Sequence, residues 1–282
     1  MIIFKKIQDI NIYISEQKAA GRSIGFAPTL GALHAGHTSL IKKAKGEGRL
    51  TVCSIFLNPT QFNNKNDFEK YPISTEADIE LLINAGCDVL FLPSVDEIYP
   101  DGTETVKTYD FGYLDTILEG AKRPGHFKGV GQVVGRLLDI VKPDYLYLGQ
   151  KDYQQCMVIS KLKDMIGMAN LQVVICPTLR DADGLAMSSR NRRLTDPQRT
   201  LAAVIYQCLV SIQTKKDEGD FNIVRKECEE LLKDKGFVPE YVALADARDL
   251  TLLDNYRNDI PMVALVAAWI GEIRLIDNLL MQ

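Results

Sequence analysis

Three histidines occur in 282 residues, and two of them, His34 and His37, stand three apart in the run PTLGALHAGH from Pro28 to His37. An imidazole can bond a phosphate oxygen without carrying a permanent charge. A helix start adds unpaired amide donors and a partial positive charge. Gly31 and Gly36 leave room for the backbone to come close to a ligand. Together these features suit a nucleotide triphosphate. Two other readings stay open on spacing alone. The pair could be half of a zinc site, although the pattern is not HExxH and no third ligand is evident. It could also be a structural turn with two satisfied imidazoles.

Three further stretches carry compatible chemistry. In LGQKDYQQ, Leu148 to Gln155, Lys151 can meet phosphate as a point charge and Asp152 can hold Mg2+, while Gln155 offers a donor and an acceptor. In GLAMSSRN, Gly184 to Asn191, the hydroxyls of Ser188 and Ser189 and the guanidinium of Arg190 suit a phosphate-binding loop. The competing reading there is a helix N-cap followed by a surface arginine. In FLNPTQF, Phe56 to Phe62, Gln61 falls just beyond a strand end, a plausible place for substrate recognition. A fourth stretch, EGAKRPGHFKGVGQVV from Glu119 to Val134, is expected to be a flexible, positively charged loop leading into a helix. It holds the third histidine, His126.

These groups need a scaffold, and the composition is that of an ordinary globular protein, 46% hydrophobic and 25% charged. The net charge of -4 argues against a nucleic-acid scaffold, which would be basic, so a polyanionic ligand must be small and held locally. The six cysteines (Cys53, Cys87, Cys156, Cys176, Cys208, Cys228) form no CxxC pair and are expected to be buried or idle thiols in a reducing compartment. The N-terminus lacks a signal-peptide pattern and no apolar run approaches membrane-spanning length, so a cytoplasmic protein with no membrane partner is expected.

Strand-like runs at Arg22–Thr29, Leu50–Leu57, Asp88–Leu92, Asp144–Leu148 and Leu171–Cys176 alternate with helical runs at Gly36–Lys45, Thr75–Ala85, Val130–Val141 and Tyr153–Ile166. In the Thr75 run, Ile79, Leu82 and Ile83 share one face, and Gly86 is a natural C-terminal cap. LTVCSIFL is a continuous apolar run, suited to a parallel strand covered on both faces. The alternation predicts an α/β fold with a mostly parallel, doubly wound sheet, whose ligands bind at carboxyl ends of strands where the strand order reverses. After about Pro177 the texture changes to a polar loop, two helical runs (Asp196–Gln213, Phe221–Lys233) and three strand-like runs (Tyr241–Ala247, Met262–Ile270, Ile273–Asn278). Two domains are expected, residues 1–176 and a smaller α+β domain at 177–282.

In order and spacing, PTLGALHAGH, FLNPTQF, YPDG, EGAKRPGHFKGV, LGQKDYQQ and GLAMSSRN resemble the pantothenate synthetases, and the likeness runs over essentially the whole chain. HxGH alone marks only the wider group of adenylyl-transferring enzymes; the set is far more specific. The resemblance implies a Rossmann-type, HxGH nucleotidyltransferase-like domain, a smaller C-terminal domain that covers the site, and a homodimer. It implies condensation of (R)-pantoate with β-alanine using ATP and Mg2+, releasing AMP and pyrophosphate. ATP contacts map onto Leu30, Gly31, Ala32, Leu33, His34, Ala35, Gly36 and His37, onto Gly149, Gln150, Lys151 and Asp152, near Leu179, and onto Met187, Ser188, Ser189 and Arg190. His37 matches a proton donor, Gln61 a contact to pantoate and β-alanine, and Gln155 a contact to pantoate. Three positions depart from the family pattern: Leu30 for Met, Gln132 for Thr and Ile73 for Arg. The last two bear on the pantoate pocket and its neighbouring loop, not on the reaction.

The chemistry so implied starts with the pantoate carboxylate attacking the α-phosphorus, after which the β-alanine amine attacks the acyl adenylate. His34, His37, Lys151, Ser188, Ser189 and Arg190 are the expected stabilisers of charge on phosphate, with Asp152 at Mg2+. Pro28, Phe56, Val133 and Val134 are expected to wall the gem-dimethyl group. Two rivals remain. A nucleotidyltransferase acting on a phosphorylated acceptor would call for more basic residues near Gln61 and Gln155. A nucleotide sensor without catalysis would bind ATP without turnover.

Overall fold

A computed structural model describes residues 1–61, 68, 72, 74–103, 107–217 and 219–281. Phe62 and Ile73, singled out above, lie outside them. Among the described residues, β1 (Ile2–Phe4), β2 (Ile24–Thr29), β3 (Leu50–Ile55), β4 (Val89–Phe91), β5 (Tyr145–Gly149) and β6 (Gln172–Cys176) form one sheet in the order β1-β4-β3-β2-β5-β6. Every pairing in it is parallel. The unbroken apolar run of β3 is buried at each position, as a strand covered on both faces must be. Strands β3, β4 and β1 extend the sheet on one side of β2, and β5 and β6 extend it on the other. The strand order therefore reverses at β2, and PTLGALHAGH leaves the sheet at its carboxyl end.

The helices α1 (Ile7–Ala19), α2 (Ala35–Gly46), α3 (Thr75–Asn84), α4 (Val95–Ile98), α5 (Leu118–Lys122), α6 (His126–Val141) and α7 (Tyr153–Met165) lie between the strands in sequence. The α/β expectation holds. The β1 strand and α1 carried no recognised signal. Lys6, at the α1 N-cap, makes no side-chain cap bond, so the start has no Ser, Thr, Asp or Asn marker. The face read for α3 needs correction. Leu82 is buried, but Ile83 is exposed and the other fully buried position is the polar Asp78.

Met1–Gly149 with Gln154–Cys176 form one compact unit, and Gln150–Tyr153 with Pro177–Gln282 form a second. In the second, α8 (Asp196–Ala202), α9 (Val204–Thr214) and α10 (Phe221–Asp234) precede β7 (Phe237–Asp246), β8 (Leu252–Leu253), β9 (Met262–Ile270) and β10 (Ile273–Met281). These strands form an antiparallel sheet in the order β10-β9-β7-β8. Its apolar core joins Ile205, Leu209, Phe221 and Leu232 to Leu244, Val266 and Leu275. The run read as one helix from Asp196 to Gln213 is two, which meet at Ala203. All six cysteines are buried free thiols. Among the described residues, no helix is long and apolar enough to cross a membrane.

Candidate active site

The turn after β2 is held by a buried carboxylate. Gly31 and Ala32 both have positive φ, 91° and 51°. A Cβ on Gly31 would lie 3.2 Å from Asp78 Oδ2 and equally close to Ile55, so glycine meets both the conformation and the space. The Ala32 amide donates to Asp78 Oδ2 at 2.8 Å, the Leu33 amide to Oδ1 at 2.7 Å, and the Ser74 hydroxyl to Oδ1 at 3.0 Å. Asp78 is 1% exposed. Ala32 and Leu33 are buried and their amides are spent on Asp78. Leu30, His34, Gly36 and His37 are partly accessible, and Ala35 is exposed.

The two histidines also turn one nitrogen inward. His34 is the N-cap of α2, and its Nδ1 accepts from the Gly36 amide at 3.1 Å. His37 Nδ1 accepts from the His34 amide at 3.3 Å, which completes a reciprocal capping box. The rings stack with centroids 4.1 Å apart and planes tilted by 49°. A nitrogen that accepts an N–H bond carries no proton, so in each neutral ring the proton sits on Nε2. The donor nitrogen of each neutral ring is therefore Nε2. The Gly36 amide is used within this cap. Among the described residues, no group of three His, Cys, Asp or Glu side chains forms a candidate metal site, around these histidines or elsewhere.

The Gln61 turn, Pro59–Gln61, follows β3 and rests on helix α6. A Cβ on Gly129 would come within 2.4 Å of the Thr60 carbonyl and 2.7 Å of Gln61 Cα, so only glycine lets the turn lie against the helix. Asn58, fully buried, ties the contact together. Its Nδ2 donates to the Gly129 carbonyl at 3.2 Å and lies 3.4 Å from Gln61 Oε1, while its Oδ1 accepts from the Thr60 amide and the Tyr99 hydroxyl. Burial pushes the Tyr99 hydroxyl above its ordinary range, which keeps it a donor. His126 is not a solvated loop residue. It is buried, with Nδ1 2.9 Å from the Gln61 carbonyl and Nε2 3.1 Å from Arg123 Nη1. Because Arg123 can only donate, His126 accepts at Nε2 and donates from Nδ1 to Gln61.

The expected flexible loop from Glu119 is therefore ordered helix, α5 followed by α6. Gly120 packs so closely that a Cβ would stand 2.5 Å from the Leu114 carbonyl. In this run read as flexible, Gly120, Gly129 and Gly131 are sites of close contact. Phe56, Gln132, Val133 and Val134 are buried and Pro28 partly so. The adjacent glutamines of α7 divide their work. Gln154 is buried, donates to the Leu114 and Ile117 carbonyls at 2.8 and 3.1 Å, and accepts from the Glu119 amide at 2.9 Å. Gln155 is partly accessible, and its side chain has no hydrogen bond to a described residue.

In the second unit, Gln150–Asp152 form a single 3-10 turn. Lys151 Nζ lies 3.4 Å from Asp152 Oδ1. Asn278 of β10 donates to the carbonyls of Gln150 and Lys151, and the Tyr153 hydroxyl donates to the Ala247 carbonyl at 2.6 Å. Leu179 and Met187 are brought together by the Met187 amide donating to the Leu179 carbonyl at 3.0 Å. Ser188 caps the next 3-10 turn, Ser189–Arg193, by accepting the Arg190 amide at 3.3 Å, so the N-cap reading of this hydroxyl is correct as far as it goes. Ser189 is buried, and Met187, Ser188 and Arg190 are partly accessible. Sequence reading missed Asp78, Asn58 and Asn278. The available signal was a polar side chain in an otherwise apolar stripe or run.

Known proteins share this layout. The family profile of pantoate-beta-alanine ligase matches residues 2–280. The chain is 44% identical over 282 residues to the pantothenate synthetase of Cytophaga hutchinsonii, with 99% of each sequence covered. It is 43% identical over 277 residues to that of Pseudomonas fluorescens, covering 98% of this chain and 96% of the relative. Among solved structures, the pantothenate synthetase of Thermus thermophilus superposes with a TM-score of 0.90 at 37% identity, 99% of both chains covered. A pantoate-beta-alanine ligase of Francisella tularensis, solved with beta-gamma ATP and beta-alanine, matches with a TM-score of 0.81 at 39% identity, over 99% of this chain and 97% of that one. Matched from end to end in sequence and in fold, this chain belongs to the pantoate–β-alanine ligase family, the pantothenate synthetases.

Proposed function

We propose that this ligase makes pantothenate from pantoate, β-alanine and ATP through a pantoyl adenylate. A pantoate carboxylate oxygen bonds to the α-phosphorus while the bond to pyrophosphate breaks. The β-alanine amine then attacks the acyl carbon, AMP leaves, and the amine gives up its surplus proton. The orientation of the HxGH histidines carries this reading. With Nδ1 of each ring engaged by backbone N–H, Nε2–H of His34 and His37 is the donor for charge on the phosphates, with no positive charge required. Lys151, Ser188, Ser189 and Arg190 supply further donors, and Lys151 and Arg190 full charges.

Gln61, fixed by Asn58 and His126, and Gln155, whose amide makes no bond to a described residue, would hold the polar groups of pantoate. Pro28, Phe56, Val133 and Val134 would wall its methyl groups. Asp152 is a single accessible carboxylate beside the phosphate-binding lysine. That fits Mg2+ arriving with ATP, which needs few protein ligands because the phosphates supply others. When bound, the ion would neutralise phosphate charge. The family likeness further supports a homodimer, and a monomeric mass in light scattering at micromolar concentration would remove that part.

The deciding experiment is exchange of labelled pyrophosphate into ATP with pantoate present and β-alanine absent. Exchange that needs pantoate is the expected result. Exchange without pantoate would indicate an adenylylated enzyme, and no exchange under either condition would dismiss the free two-step route.

A further inference from the structure

We propose that Asn278, in the last strand, is a positioning residue that sets the direction in which Lys151 leaves the backbone. The inference rests on reading Lys151 as a phosphate-binding cation. β10 reads IRLIDNLLM, an apolar strand with two polar residues at its centre. Asp and Asn are ordinarily turn residues, and the strand-like run read from the sequence ends at Asn278. Instead it continues to Met281 in unbroken antiparallel register with β9. Asp277 and Asn278 are 4% and 2% exposed, and buried polar groups require partners.

The partners of Asn278 all belong to one turn. Its Nδ2 donates to the Gln150 carbonyl at 2.9 Å and to the Lys151 carbonyl at 2.8 Å, and its Oδ1 accepts from Gln150 Nε2 at 3.2 Å. Those two carbonyls belong to the peptide groups on either side of the Lys151 Cα. Fixing both planes fixes φ and ψ of Lys151, the only soft backbone dihedrals at that residue. One amide group therefore decides where the Lys151 side chain starts.

Asn278 is itself held. Its amide donates to Asp277 Oδ1 at 2.7 Å, and its carbonyl accepts from Arg180 Nη2 at 3.1 Å. Asp277 grips the same guanidinium with both oxygens, at 2.5 and 3.0 Å, and Arg180 lies 4.1 Å above the Tyr206 ring. The anchor is thus braced against a buried ion pair before it reaches the turn. The four residues Gln150–Tyr153 group with the C-terminal unit although the chain enters and leaves them from the first unit.

The test measures pantoate-dependent pyrophosphate exchange as a function of ATP for wild type, Asn278→Ala, Lys151→Ala and the double variant. Loss of alignment at a charged group typically costs on the order of a hundredfold in rate. Asn278→Ala should lower the maximal exchange rate about ten- to a hundredfold, with a smaller change in apparent affinity for ATP. In the Lys151→Ala background the same substitution should have almost no further effect, because Asn278 acts through Lys151. A general loss of structure would instead carry over into both backgrounds and lower the melting temperature with it. Asn278→Leu keeps the branching at Cγ and serves the same comparison if Asn278→Ala does not fold. The proposal is overturned if Lys151→Ala is impaired while the folded Asn278 variant exchanges as wild type. A full additional loss in the double variant overturns it equally. Wild-type exchange by Lys151→Ala itself would instead sink the reading of Lys151, and this inference with it.

Discussion

Two turns of this protein each depend on one buried polar side chain, and the two anchors grip opposite ends of the peptide group. In the first unit the Asp78 carboxylate takes the N–H groups of Ala32 and Leu33. In the second, the Asn278 amide takes the carbonyls of Gln150 and Lys151. The choice of anchor decides what the turn can still offer a ligand. A turn that spends two of its amides on an anchor has fewer backbone donors left, and in the proposed reading the HxGH turn donates through imidazole Nε2. A turn gripped by its carbonyls offers a fixed starting point for a long cationic side chain. In the proposed function the two turns would therefore stabilise phosphate charge by different means.

The largest expected effect comes from separating the two nitrogens of His37. His37→Asn keeps a hydrogen-bonding atom near the δ position and has nothing at ε, so the cap of α2 can survive while the outward donor is lost. Removing one such donor typically costs about a hundred- to a thousandfold in turnover. His37→Asn should show that loss in exchange with a melting temperature near wild type. His37→Gln carries a side-chain amide that reaches the ε position and can equally accept the His34 N–H, as Gln198 does at the Thr195 cap, so it should be the more active of the two. A fully active His37→Asn would break the assignment of Nε2 and remove one side of the comparison.

Asp78→Ala tests the other end of the same turn. It leaves two buried amides without an acceptor, each at a cost of about 1–3 kcal/mol. The Ala32 φ of 51° also loses the bonds that hold it. A clear fall in thermal stability, with exchange reduced in the protein that remains folded, is the expected outcome. Asp78→Asn retains one acceptor oxygen and should fall between. Unchanged stability in Asp78→Ala would show that the turn holds itself.

The smallest effects separate the neighbours Gln154 and Gln155. Gln155→Ala should weaken pantoate use by about 0.5–1.5 kcal/mol, roughly two- to tenfold, while melting as wild type. Gln154→Ala, which gives up bonds to Leu114, Ile117 and Glu119, should lower the melting temperature and leave the Michaelis constant for pantoate nearly unchanged in the folded fraction. Denaturation curves beside pantoate titrations decide it, and the reverse pattern would exchange the two roles.

Much of this could be read from the amino acids in order. The alternation of apolar strands and amphipathic helices is a local periodicity, and it located β2 to β6 and the helices α2, α3, α6 and α7 to within a few residues. HxGH after a strand, QKD after another and SSRN in the polar loop were visible because each motif is contiguous. The β1 strand and α1 escaped because no capping residue announces the helix. The loop from Glu119 was misread because glycine signals either flexibility or close packing, and only the packed neighbour, such as the Thr60 carbonyl against Gly129, distinguishes them.

What the sequence determined by itself was the order of elements and the identity of the groups that can meet phosphate and amide chemistry. What the tertiary structure alone decided was which end of each group is available. The choice of tautomer at His34 and His37 follows from the backbone amides that α2 places beside Nδ1. The roles of Asp78, Asn58 and Asn278 depend on partners up to 128 residues away in the chain. A buried polar side chain must find a partner, but local sequence does not say where, because that partner is chosen by the folded backbone and not by its neighbours in the chain.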